Sequence, residues 1–184
     1  MYVWTWDSTG RVWRRTGGTR CTKCWVKKNK HTKTICNKEG VEREYEKYLQ
    51  KIQKNLIRHA DITGEDELRK AGKHLFGSKF RGVFARDEMT VPRMLRSGES
   101  CILNLDTRNQ PGSHWIAIVR GKKEFITYDS FGRRLTTNSK HTEADAEQHI
   151  MEENCGQRCL AWLCVYYEFG EKCALMIKTK MYRL

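Results

Sequence analysis

The chain has 184 residues, enough for one domain with a buried core but not for two full domains. Hydrophobic residues make up 39% and aromatic residues 10%, so we expect most of the chain to fold. No run approaches the roughly 20 apolar residues of a membrane span, and the N-terminus lacks the apolar segment of a secretory signal. The composition therefore predicts a protein that is neither secreted nor bound to a membrane.

The net charge of +13 is unevenly distributed along the chain. Residues 1–40 contain ten Lys and Arg against two acidic residues, a net charge of +8, and the rest of the chain carries +5. A strongly basic segment attached to a less basic domain favours a polyanionic partner, most simply DNA or RNA. The alternative is a solvated basic surface without a specific partner. We divide the chain into a basic N-terminal appendage, residues 1–40, and a main domain, residues 41–184.

Two helices open the main domain. Apolar residues recur at helical spacing over residues 41–56, with Glu, Lys and Gln between them. A second helix is predicted from Thr63 to Gly77, because acidic residues fill its first turn and a glycine follows its last apolar position. Residues 1–40, by contrast, show no clear period.

Strands follow the helices, and a helix comes last. Strands are predicted over residues 101–105, 115–119 and 125–128, with a hairpin turn from Gly121 to Lys123 between the last two. Residues 132–147 are polar and are predicted to form a loop. A final helix is predicted from Cys155 onward. The order of helices, strands and a helix predicts the α+β class.

Four residues have the chemistry of a thiol hydrolase. His114 lies in the sequence GSHW before one predicted strand, and Asp129 lies in YDSFG after the next strand. Gln148 precedes Cys155 by seven positions, and Cys155 begins the last helix. Taken singly, these are more often a packed histidine, a turn aspartate and a small buried cysteine. Their combination in this order is much more specific.

Each of these residues has a predicted role. A thiolate is the attacking species of a thiol protease, and both a helix N-terminus and an adjacent imidazolium stabilise it. We therefore predict Cys155 as nucleophile, His114 as its base and Asp129 as the carboxylate that orients the imidazole. The backbone N–H of Cys155 and the Gln148 amide would stabilise the oxyanion. Gly156 is expected to let the chain turn tightly after the nucleophile.

The segments GSHWIAI, ITYDSFG and QxxxxxxCGQRC resemble the adenovirus protease (adenain) family of the SUMO-protease-like clan. Similar enzymes occur in Polinton/Maverick-type elements and related DNA viruses. The resemblance extends from near Leu75 to about Phe169, roughly half the chain. It implies a papain-like α+β fold with a small mixed sheet and flanking helices. It also implies a triad of Cys155, His114 and Asp129, with Gln148 in the oxyanion hole and a tryptophan packed beside the histidine.

The resemblance further implies a function. It predicts a cysteine endopeptidase that processes viral or element-encoded structural precursor proteins, next to small residues such as glycine. It implies no cofactor for the chemistry, nucleic acid as an activator, and a monomer in the host nucleus or the virion. Adenovirus enzymes also bind an activating peptide through a cysteine between the histidine and the nucleophile. No cysteine lies between His114 and Cys155, which argues against that mechanism here.

Cysteines outside this set suggest a second type of site. Cys21, Cys24, His31 and Cys36 have paired spacing that suits tetrahedral zinc, and a basic, Trp-bearing zinc segment suits single-stranded nucleic acid. The alternative is a basic arm that is partly disordered. Without a secretory signal, reduced thiols are favoured over disulfides. The remaining cysteines lie in apolar runs and are predicted to be core thiols: Cys101, Cys159, Cys164 and Cys173.

Two alternative functions stay open. The first is another enzyme, a protease that removes a ubiquitin-like modifier from proteins, which the same fold supports. The second is a zinc-dependent nucleic-acid-binding protein whose protease-like half is inactive. Thiol labelling that depends on His114 would favour an enzyme, and the metal content of residues 1–40 would test the binding protein.

Overall fold

The computed structural model describes residues 4–6, 12–14, 37–57, 63–88, 94–110, 112–133, 139–141 and 153–177. Within these ranges the strands form a five-stranded mixed sheet and a two-stranded sheet, and helices flank the larger one. The predicted α+β class, with a small mixed sheet and flanking helices, is confirmed. Among the helices in these ranges, none has the length and apolarity needed to cross a membrane.

The larger sheet has its five strands in chain order. Its central strands β4 (Ser100–Asn104), β5 (Trp115–Arg120) and β6 (Phe125–Tyr128) are antiparallel neighbours. The outer strands β3 (Phe80–Phe84) and β7 (Ser139–His141) pair with them in parallel. In the smaller sheet, β1 (Trp4–Trp6) pairs antiparallel with β2 (Val12–Arg14).

The three strands at the centre of the sheet were predicted, and the other four were not. Strands β1, β2 and β7 have three residues each, which is too short to show an alternating pattern. Strand β7 lies inside residues 132–147, so the prediction of a loop there is wrong at this point. In β3, Gly82 lies where the register against β4 is irregular, and this breaks the alternation of buried and exposed residues along the strand.

Four α-helices occur in the described residues: α1 (Lys38–Asn55), α2 (Glu65–Phe76), α3 (Cys155–Phe169) and α4 (Glu171–Ala174). A short 3-10 turn, Gly77–Lys79, follows α2. Helix α1 begins earlier than predicted, because the Asn37 side chain caps it by accepting a hydrogen bond from the Gly40 N–H at 2.8 Å.

Apolar side chains fill both faces of the central strands. Residues such as Ile102, Val119 and Ile126 pack against the three long helices, and Trp162 of α3 is fully buried among them. The opposite face of β4 and β5 forms a smaller cluster around Leu95. Every residue of α3 from Cys155 to Val165 is buried. Helix α3 is therefore held rigidly against the sheet, which fixes the position of Cys155 at its start.

Three of the predicted core thiols are as expected. Cys101, Cys159 and Cys164 are buried and form no disulfide, and burial raises the pKa of the Cys101 and Cys164 thiols far above its usual value. Cys173 is also buried, but it is disulfide-bonded. The prediction of a reduced Cys173 is therefore wrong.

Candidate active site

The β5–β6 hairpin brings His114 and Asp129 together. His114 immediately precedes β5 and Asp129 immediately follows β6, so antiparallel pairing places both at the same end of the sheet. Nε2 of His114 and Oδ1 of Asp129 are 2.7 Å apart, and both side chains are 3% exposed. A carboxylate at this distance fixes both the orientation and the tautomer of the imidazole.

A tight turn after β6 holds the carboxylate in place. Oδ1 of Asp129 also accepts a hydrogen bond from the Phe131 N–H at 2.8 Å, and its backbone oxygen accepts one from Gly132. Gly132 adopts a φ of +67°, which a residue with a side chain rarely does. Nε of Arg133 lies 3.3 Å from Oδ2. Asp129 is thus a turn residue as well as the partner of the histidine.

The ionisation of this pair is set by opposing effects. Burial favours the neutral form of each group, but their mutual hydrogen bond and attraction outweigh it. The pKa of Asp129 is consequently lowered, with help from the Phe131 N–H and Arg133. The pKa of His114 is raised, because Asp129 and then the Cys155 side chain favour the imidazolium. The Phe131 ring, 4.6 Å from the His114 ring, covers its face.

Cys155 approaches the histidine from the start of α3. The Sγ of Cys159, one turn later, donates to the Trp115 carbonyl at 3.3 Å and so anchors this end of α3 beside His114. Asp129 occupies Nε2 of His114, which leaves Nδ1 for the thiol. Nδ1 is buried and makes no hydrogen bond of good geometry among the described residues. The Cys155 thiol therefore interacts with the ring without forming an ideal hydrogen bond, and Cys155 is 8% exposed.

The N-terminus of α3 carries no side-chain cap. Asn154 is the N-cap residue, yet its side chain makes no hydrogen bond to the helix N–H groups. Among the described residues, no N-cap side chain therefore bonds the N–H groups of the first turn, which include that of Cys155. Uncapped N–H groups and the helix dipole both favour negative charge at this point.

Gly156 has a different role from the one predicted. It lies inside α3, so it makes no turn after the nucleophile. A Cβ at this position would lie 2.8 Å from Cδ2 of Leu68 on α2. The close approach of Leu68 on α2 to the first turn of α3 favours glycine here.

Trp115 supports the site from behind. Its indole is buried, and Nε1 donates to the Thr63 carbonyl at 3.1 Å, just before α2 begins. This bond links the strand that carries His114 to the start of α2. The resemblance implied that Trp115 packs beside His114, but nothing in the sequence indicated that its indole bonds to Thr63.

Five predicted site residues lie outside the described residues. They are Gln148, the proposed oxyanion donor, and the zinc ligands Cys21, Cys24, His31 and Cys36. Their roles stay predictions. In the ranges that the structure describes, no three His, Cys, Asp or Glu side chains are grouped so that they could hold a metal ion.

A chain of buried polar side chains, which was not predicted, lies behind Cys155, His114 and Asp129. Arg158, in the first turn of α3, is 7% exposed and contacts Asn154 and the Tyr45 hydroxyl of α1. The Tyr45 hydroxyl lies 2.8 Å from that of Tyr128, the residue before Asp129. The one available signal was an arginine inside the apolar run CGQRCLAWLCV.

No protein-family model matches the chain, and no curated protein matches it. The likeness to adenain-type proteases therefore depends on the motifs around His114, Asp129 and Cys155.

Proposed function

We propose that the protein is a cysteine endopeptidase with a papain-like fold and mechanism. The observation that carries the proposal is the buried set of Cys155, His114 and Asp129 at one end of the sheet. A nucleophile, a base and an orienting carboxylate in this order are the parts that acyl transfer requires. The uncapped start of α3 adds electrostatic support for an anion at the sulfur.

The first half-reaction acylates the enzyme. The thiol proton resides on Nδ1 of His114, and the Cys155 thiolate attacks the carbonyl carbon of the scissile bond. Negative charge moves to the carbonyl oxygen, where the Cys155 N–H stabilises it together with the Gln148 amide. As the tetrahedral intermediate collapses, His114 protonates the leaving amine, the C–N bond breaks and a thioester remains.

The second half-reaction restores the enzyme. His114 removes a proton from water, and the resulting hydroxide attacks the thioester carbonyl. The C–S bond breaks, the acid product leaves and the thiolate–imidazolium pair forms again. Asp129 keeps its charge throughout and stabilises the imidazolium at each stage, as its lowered pKa favours.

The proposed substrates are structural precursor proteins that present an extended segment with glycine or another small residue. Cys155 is only 8% exposed, so a slim backbone reaches the sulfur more easily than a bulky side chain does. The resemblance to adenain-type enzymes supports the same preference. In this proposal the basic residues 1–40 hold the enzyme near nucleic acid, where such precursors assemble.

The proposal is tested by incubating the protein with the capsid and core precursors encoded by its own genome. New protein termini are identified by mass spectrometry, with Cys155→Ala as the control. This change removes the nucleophile but little volume, so the fold should be retained. We expect cleavage next to small residues by the wild type and none by the variant. Cleavage by both proteins, or by neither, would contradict the proposal.

A second set of substrates distinguishes the proposed endopeptidase from a protease that removes ubiquitin-like modifiers. A ubiquitin-like modifier joined to a lysine side chain presents the same Gly-rich carboxyl segment with an isopeptide bond. We expect faster hydrolysis of the main-chain bonds of the precursors. Preferential release of the modifier would instead identify a deconjugating protease with the same catalytic residues.

A further inference from the structure

Arg158 is a buried cation one helical turn from the nucleophile. It is 7% exposed, and apart from the buried Gln157 its neighbours along α3 are apolar or small. A charged side chain in such a place requires polar partners, because desolvation alone costs several kcal/mol. Nε donates to Oδ1 of Asn154 at 2.8 Å, and one terminal nitrogen donates to the Tyr45 hydroxyl at 3.4 Å.

Asn154 and Asn37 occupy the same helix position but behave differently. Asn37, the N-cap of α1, has an extended backbone with ψ of 157°, and its side chain accepts the Gly40 N–H at 2.8 Å. Asn154, the N-cap of α3, has nearly the same φ but a ψ of 22°, and its side chain bonds no helix N–H. Asparagine is a favoured N-cap residue, so its failure to cap α3 needs a cause.

We propose that Arg158 is a positioning residue that withholds the Asn154 side chain from the N-terminus of α3. This inference rests on the proposed function, because it concerns the same thiol. With Asn154 bonded to Arg158, the first-turn N–H groups stay available to the thiolate and the oxyanion. A capping amide oxygen would direct its own partial negative charge at those N–H groups and weaken their effect.

The same chain of hydrogen bonds fixes the position of Arg158 relative to Asp129. The Tyr45 hydroxyl that accepts from Arg158 lies 2.8 Å from the Tyr128 hydroxyl, and Tyr128 immediately precedes Asp129. Tyr128 also stacks on Trp162 of α3, with ring centroids 5.3 Å apart and an interplanar angle of 11°. Helix α1 thereby takes part in aligning the nucleophile and the acid, although it carries no member of the triad.

The test is a pair of variants assayed with a fluorogenic peptide that has Gly-Gly before an aminocoumarin amide. Arg158→Met keeps an unbranched apolar stem but removes the guanidinium, and so releases Asn154. A cap contributes about 1 kcal/mol, so we expect kcat to fall about fivefold or more, with KM within about twofold. Adding Asn154→Gly to Arg158→Met removes the competing amide and should restore most of the lost kcat. A merely structural role for Arg158 would give no such recovery.

Two outcomes would overturn the inference: an unchanged kcat in Arg158→Met, or a double variant no faster than the single one. If Arg158→Met does not fold, as judged by its thermal melting, Tyr45→Phe takes its place, because it loosens Arg158 without removing the charge. We then expect kcat to fall about threefold in Tyr45→Phe. Tyr48→Phe, a matched change on the same helix, should leave kcat unchanged. Equal rates for these two variants would overturn the inference as well.

The failure of this inference is distinguishable from the failure of the proposed function. A wild-type protein that hydrolyses neither the peptide nor any precursor defeats the proposed function, and this inference with it. A wild-type protein that hydrolyses the peptide, while Arg158→Met does so equally well, defeats this inference alone.

Discussion

Replacing Asp129 with Asn should shift the alkaline limit of peptide hydrolysis, the pH above which the rate falls because His114 has lost its proton, to lower pH. Burial lowers the pKa of His114, and the 2.7 Å bond to Asp129 is the main effect that outweighs it. The variant keeps the shape of the side chain but loses its charge. A hydrogen bond to a charged group contributes about 1.5–3 kcal/mol, which the neutral Asn amide cannot match. The alkaline limit should therefore move to lower pH.

The assay is kcat/KM for hydrolysis of a short fluorogenic peptide between about pH 5 and pH 10 in the wild type and in Asp129→Asn. Asp66→Asn, which neutralises an exposed carboxylate at the start of α2, is the matched control and should leave the profile unchanged. An identical alkaline limit in wild type and Asp129→Asn would refute the reasoning, because Asp129 would then have no influence on the imidazolium.

The His114–Asp129 pair also makes the stability of the fold depend on pH, in a direction that follows from the two pKa shifts. The pKa of His114 is raised, so its contribution is present below about pH 6.5 and is lost as the pH rises through the folded pKa. The pKa of Asp129 is lowered, so its contribution is present above about pH 3.9 and is lost on acidification. The difference in melting temperature between wild type and Asp129→Asn should thus be largest between about pH 4 and pH 6.5.

Three further predictions concern other parts of the chain. Gly156→Ala should lower the melting temperature, because overpacking against Leu68 costs about 1–3 kcal/mol and exceeds the ~1 kcal/mol gain in helix propensity; a higher melting temperature would contradict the packing. Gln148→Ala should lower kcat by about 10²–10³ with little change in KM, and an unchanged kcat would remove Gln148 from the oxyanion hole. Removing residues 1–36, which leaves the Asn37 cap of α1 in place, should flatten a log–log salt slope of about −5 for duplex DNA, which corresponds to about six phosphates, while peptide hydrolysis persists. Tight DNA binding by the truncated protein would contradict a tethering role.

The juxtaposition of His114 and Asp129 could be predicted because it follows from local rules. A hairpin turn at Gly121 makes the two strands antiparallel neighbours, so the residue before the first and the residue after the second must share one end of the sheet. The position of Cys155 at the start of a helix could also be predicted from the sequence, because a mostly apolar run begins there. The class of the fold followed from the order of these elements.

Contacts between distant segments could not be predicted. Tyr45 occupied a position in the apolar stripe of α1, and nothing local indicated that its hydroxyl reaches Tyr128 or Arg158. Gly156 was assigned to a turn because its actual constraint, Leu68, comes from another helix. The disulfide at Cys173 was missed because sequence alone gives no pairing and the composition favoured reduced thiols.

The central claim is that His114 activates Cys155, and selective alkylation at pH 6 tests it most directly. An ordinary thiol, with a pKa of about 8.5, is less than about 1% ionised there, so reaction requires a stabilised thiolate. With iodoacetamide and peptide mass spectrometry, we predict that Cys155 is labelled well before the thiols of Cys101, Cys159 and Cys164. In His114→Ala its rate should fall by at least about tenfold, because the imidazolium is gone. Labelling of Cys155 at equal rates in the two proteins, or no labelling in the wild type, would contradict the account.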